Sequence, residues 1–122
     1  SFDSKISRKI INEDEVKNLL NQNGYHIIKL SQLSFVDQIN LFYNAKSIVG
    51  LHGSGFANLA FCKENTHVIE IQTVTTGPII QNIAISNNLN YKVLKYSPIR
   101  KDYNIQSGSI KVDINELEKI II

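Results

Sequence analysis

Three short runs constrain this chain most: SIVGL at 47–51, VIEI at 68–71 and YKVLKY at 91–96, with helix-periodic segments between them. A strand with one wet face alternates apolar and polar residues. A near-continuously apolar strand is covered on both faces, the mark of a parallel sheet joined by helical crossovers. The reading is therefore α/β: a three-layer, Rossmann-like domain with a mainly parallel sheet. At 122 residues there is room for one such domain, spanning residues 1–122, and for a real core. An apolar fraction of 43% with 20% charged residues excludes wholesale disorder.

The segments between the runs fit this reading. Asn12 followed by Glu15 has the spacing of a capping box, and Val16, Leu19 and Leu20 then share a helical face until Asn23-Gly24 stops it. Residues 25–30 (YHIIKL) are expected as a further strand. Ser34 with Asp37 caps a second helix carrying Phe35, Ile39, Phe42 and Tyr43. After the first apolar run come His52-Gly53-Ser54-Gly55 and a short helix through Phe61. Pro78 opens a helix that Asn87-Asn88 ends. Residues 97–108 read as a polar loop, 109–112 as a last strand and 114–122 as a closing helix.

Composition narrows the function classes. The formal charge is +2, from 13 basic and 11 acidic residues, with no basic stripe, so no nucleic-acid partner is expected. The abundance of Ile, Asn and Lys, all encoded by A+T-rich codons, reads as genomic bias before function. Cys62 is alone, which excludes an internal disulfide and a Cys-rich zinc site, and fits a reducing, cytoplasmic setting. The three histidines lack metal-ligand spacing, so no metal is expected. Neither an apolar run of about 18 residues nor a charged-then-apolar leader is present, so no membrane span is expected.

Ligands of parallel sheets bind beyond the carboxyl ends of the strands, which points to residues 50–58 and to those following 68–71. Gly53 and Gly55 suit a tight turn with close ligand approach. The helix start at Gly55-Phe56 offers free N–H groups and a positive dipole end to phosphate. Ser54 adds a hydroxyl, and His52 donates to a phosphate oxygen or moves a proton. Glu70, at the end of the next run, is placed to accept from ribose or sugar hydroxyls. Thr73, Thr75, Thr76 and Gly77 form a polar loop beyond it. Gly-Ser-Gly is a weak signal alone: Asn58 stands where a dinucleotide fingerprint has its third glycine, and no Gly-Lys-Ser/Thr follows to make a Walker loop. A dinucleotide module and a non-catalytic interaction domain, self-associating through an apolar face as a homodimer, remain alternatives at this point.

The pieces also occur in one order: Arg8-Lys9-Ile10-Ile11-Asn12-Glu13, Leu33-Ser34-Phe35 with Gln38, Val49-Gly50-Leu51-His52-Gly53-Ser54-Gly55 with Asn58, and Val68-Ile69-Glu70-Ile71. That series resembles glycosyltransferase family 61. The resemblance implies the donor-binding, C-terminal half of a two-domain GT-B enzyme that transfers sugar with inversion from a nucleotide-diphosphate sugar, without an essential metal or other cofactor. The glycan or other hydroxyl acceptor, and the base that activates it, would then be held by a second domain, so the chain alone is expected to be inactive. Arg8 and His52 would be the catalytic pair on the diphosphate, with Gly53, Ser54, Gly55, Phe56, Asn58, Glu70 and Thr73 binding the donor. Ser54, Phe56 and Ala57 stand where the family more often has Ala, Leu and Thr, and Asp37 where Glu is usual. Arg8 lies so close to the start that the first strand of such a domain is expected to be missing. Bland readings attach elsewhere: His26 as a packed or edge side chain, His67 as an exposed one, Cys62 as core filler, Asn12 as a helix cap.

Overall fold

The computed structural model describes residues 10–74, 76–99 and 109–121. Three strands, β1 (Ser47–Leu51), β2 (His67–Thr73) and β3 (Asn90–Tyr96), form a parallel sheet in the order β1-β2-β3. The register sets Gly50 beside Glu70 and Glu70 beside Val93. Four α-helices accompany them: α1 (Glu13–Gln22), α2 (Phe35–Asn44), α3 (Ile79–Ser86) and α4 (Ile114–Ile120). A 3-10 helix, Ser54–Phe61, follows β1 directly.

Side-chain alternation divides the strands between two cores. On one face Val68 joins Phe42, Phe56, Leu59, Ile80 and Ala84, from α2, the 3-10 helix and α3. On the other, Ile69 and Ile71 join Leu51, Leu94, Val16, Leu19, Leu20 and Leu117, from α1 and α4. Helices thus cover both faces, as the apolar runs require. Leu59 and Leu117 are wholly buried, and truncating either to alanine costs about 2–5 kcal/mol.

The helix boundaries follow local chemistry. Ser34 Oγ accepts from the Asp37 N–H at 3.1 Å, and Asp113 Oδ1 accepts from Glu116 N–H at 3.1 Å. Gly24, with φ +84°, ends α1, and Asn88, with φ +56°, ends the turn after α3. Pro78 is the residue before α3.

Three sequence expectations change. Residues 25–29 form no strand: no described strand lies against them, and Ile27 and Ile28 are each 43% exposed. They face β1 across an apolar cavity of about 1010 Å³, lined by Ile27, Leu30, Val49, Leu51, Val16 and Phe56, bridged at one end by Tyr25 Oη and Ser47 Oγ at 2.6 Å. Residues 109–112 make no strand either, only a parallel bridge from Ile110 to Ile10. Asn12, finally, does not cap α1 with its side chain. Its amide donates to Val112 O at 2.8 Å and accepts from Val112 N–H at 2.9 Å, tying positions 100 residues apart. The expected polar loop at 97–108 lies mostly outside the described residues.

That tie sets a first prediction. Asn12→Ala removes two hydrogen bonds and is expected to cost about 1–2 kcal/mol in urea unfolding. Asn12→Ser, which keeps a good capping residue, should be equally destabilised; recovery of wild-type stability in the serine variant would restore the capping role.

Candidate functional site

The carboxyl end of β1 runs straight into the turn. His52 N–H donates to Ile71 O at 2.7 Å, prolonging the β1–β2 ladder by one residue. Gly53 is fully extended at φ 177°, a conformation any residue adopts, so it is not the turn-former expected. The glycines that matter for packing are Gly50 and Gly55. A Cβ at Gly50 would sit 3.0 Å from the Phe56 ring, and one at Gly55 would sit 2.7 Å from Leu30 Cδ1. Gly50 has no side chain on the face it shares with Glu70, which lets the Phe56 ring settle there and draws the 3-10 helix down onto the sheet.

Glu70 is central in β2, not at its end, and is 1% exposed. Its two oxygens are divided between partners. Oε2 meets His52 Nδ1. Oε1 accepts from the Tyr91 hydroxyl and, at 2.8 Å, from Gln72 Nε2. A buried carboxylate is expensive unless paired and hydrogen-bonded, and removing one partner of such a pair typically costs about 3–5 kcal/mol. The three donors meet that requirement. Burial first, then the bond to Glu70 and its charge, push the Tyr91 phenol well above the usual tyrosine range, so Tyr91 stays a donor. Gln72 Oε1 is buried with no hydrogen-bond partner among the described residues.

His52 is the member of this set that reaches outward, with its side chain 24% exposed. With Nδ1 turned to the carboxylate, Nε2 is the ring nitrogen left for a ligand. The backbone of residues 53–55 lies beside it, and Phe56 N–H donates to Gly53 O at 3.1 Å, closing the first turn of the 3-10 helix.

The other expected site residues divide clearly. Phe56 is buried in the core against Gly50. Asn58 is also buried, and its amide donates to Gln38 Oε1 at 3.0 Å. Gln38 in turn donates to Leu30 O at 2.8 Å, so it ties the 3-10 helix to the segment before α2. Thr73 ends β2 on the face opposite Glu70, its hydroxyl 3.1 Å from that of Thr76. Arg8 and Thr75 lie outside the described residues, as does any account of the Ser54 side chain. Burial pushes the Cys62 thiol up to about 11, consistent with a core role. His26 is exposed. Among the described residues no cluster of His, Cys, Asp or Glu could hold a metal ion, and no helix is long and apolar enough to cross a membrane.

Gln72 and Tyr91 were missed as partners of the acid. Gln72 had a legible signal: in a run of apolar strand residues, a second polar side chain two positions after Glu70 shares its face. Tyr91 had none, because its meeting with Glu70 depends on the β2–β3 register.

A three-strand parallel sheet with helices on both faces, and a glycine-containing turn carrying a histidine on a buried acid at the carboxyl end of β1, define a Rossmann-like α/β domain. Comparison with known proteins supplies the family. The family model described as "Glycosyltransferase 61" matches residues 3–69, and the chain belongs to that family. The mouse EGF domain-specific O-linked N-acetylglucosamine transferase is 32% identical over 89 residues, covering 69% of this chain and 17% of the relative. The bovine protein of the same name is 30% identical over 69 residues, covering 52% and 13%. This chain thus spans less than a fifth of the length of the curated relatives it matches.

Two predictions follow from the packing of the turn. Gly50→Ala must displace a buried aromatic ring and is expected to cost about 1–3 kcal/mol. Gly55→Ala displaces only the tip of a flexible leucine and should cost less. Equal losses in thermal unfolding would contradict the contact with Phe56. Cys62 should react with a disulfide reagent at pH 8 only as fast as the protein unfolds; prompt labelling of the native protein would contradict its burial.

Proposed function

We propose that this chain is the donor-binding part of a family 61 glycosyltransferase, holding a nucleotide-diphosphate sugar at the carboxyl end of its sheet. The observation that carries the reading is the position of His52 and residues 53–55. They follow β1, whose C-terminal end meets a helix start, where a diphosphate finds backbone N–H donors and an imidazole together. Arg8 belongs to the same proposal as a guanidinium on the diphosphate, able to bind it bidentately and to steady the leaving nucleotide.

In this reading the diphosphate is the leaving group. The acceptor hydroxyl attacks the anomeric carbon from the opposite side, the carbon–oxygen bond to the diphosphate breaks, and configuration inverts. Family membership supports glycosyl transfer; the curated relatives' names supply N-acetylglucosamine as the first sugar to test. The acceptor and the base that takes its proton are assigned to polypeptide other than these 122 residues, in a GT-B arrangement of two such domains. No metal is required if His52, Arg8 and the turn amides balance the diphosphate charge.

The test is an amide NMR titration of the 122-residue chain with uridine or guanosine diphosphate, with NADH alongside. Shifts confined to residues 52–58, larger for the nucleoside diphosphates than for NADH, are expected at millimolar ligand. Absence of shifts there, or a preference for NADH, would overturn the donor-site reading.

A further inference from the structure

We propose that Glu70 is a positioning residue: it never touches the nucleotide sugar but acts through His52, making that histidine the cationic donor to the diphosphate. The proposal deepens the donor-site reading above and rests on it.

The carboxylate cannot serve a ribose hydroxyl without dismantling its surroundings. It is 1% exposed, and its oxygens are already engaged by His52, Gln72 and Tyr91. Tyr91 and Gln72 come from β3 and β2, so the carboxylate is gripped by two strands, and His52 is the residue after the third. Both donors on Oε1 suit an ionised carboxylate, which is acceptor-only. A positive partner beside two neutral donors offsets the cost of burying an ionised acid. Among the described residues, His52 is the only one of its hydrogen-bond partners able to carry that charge.

The consequence falls on the other ring nitrogen. With Nδ1–H donated to Glu70, a neutral His52 would show a bare Nε2 to the site, which repels a phosphate oxygen. A doubly protonated ring shows Nε2–H and a positive charge, which phosphate oxygen accepts. Glu70 and a bound diphosphate therefore favour the same protonation state from opposite sides of the ring. The carboxylate fixes the ring's orientation as well, the usual task of an acid behind a histidine.

The experiment compares wild type with Glu70→Gln in two binding assays and one spectrum. The probes are inorganic diphosphate, which has no ribose, and uridine, which has no phosphate; the spectrum is the ¹⁵N signature of the His52 imidazole, assigned with His52→Gln. Loss of a charge-assisted hydrogen bond corresponds to about tenfold or more in affinity. Glu70→Gln should weaken inorganic diphosphate by that factor, leave uridine within about twofold, and abolish the doubly protonated His52 seen in the diphosphate complex. Tyr91→Phe, which keeps the carboxylate and most of the packing, should move both diphosphate readouts in the same direction by a smaller factor.

The reverse pattern, lost uridine binding with diphosphate retained, would overturn the proposal and restore a ribose contact. Unchanged affinities in both variants would overturn it too. If wild type binds neither probe, the donor-site reading fails; the ligand-free spectrum then judges the pair alone. Nδ1–H on His52 in wild type, lost in Glu70→Gln, upholds the coupling, and a bare Nδ1 in wild type overturns it.

Discussion

One carboxylate buried in the middle of a parallel sheet organises the side chains at the carboxyl end of this domain. Glu70 stands where the pattern of β2 would otherwise place another apolar side chain, and charge in such a place persists only if its surroundings are built for it. Here His52 comes from the residue after β1, Gln72 from β2 itself and Tyr91 from β3. The strand register is therefore fixed twice, by the two apolar cores and by the demands of one acid. A slip of one residue would expose the wrong face and strand the charge together.

On the donor-site proposal, so modest a charge balance would suffice to hold a diphosphate. A net +2 creates no strong field, but an imidazole oriented by a carboxylate beside backbone N–H groups would act on an anion at short range, where geometry counts for more than total charge. Gly50 is the steric counterpart of this electrostatic design. Its missing side chain admits the Phe56 ring, which seats the 3-10 helix on the sheet and so fixes where the turn amides point. Gln38 and Asn58 brace the same helix from α2.

The layered α/β plan was legible because near-continuous apolar runs demand cover on both faces, and β1, β2 and β3 fall where those runs lie. The turn after β1 was legible from the strand–glycine–helix sequence, and the ordered motifs led to the family. Other features depended on tertiary partners that no local pattern reports. YHIIKL has the composition of a strand, yet a strand needs a neighbour, and a cavity lies between it and β1. Asn12 has the spacing of a cap, yet its amide finds a better pair of bonds on Val112. Phe56 and Asn58 turn inward because the Phe56 ring packs on Gly50 and the Asn58 amide bonds Gln38, contacts that only the tertiary fold supplies. Glu70 was expected at a strand end, whereas it lies mid-strand with His52, Gln72 and Tyr91 around its carboxylate.

The most direct measurement is a crystal structure of this chain with a nucleoside diphosphate bound. The account predicts diphosphate oxygens within hydrogen-bond distance of His52 Nε2 and the amides of residues 53–55, with Glu70 still turned inward to His52, Gln72 and Tyr91. A diphosphate bound away from His52, or a Glu70 swung out to the ribose, would contradict it.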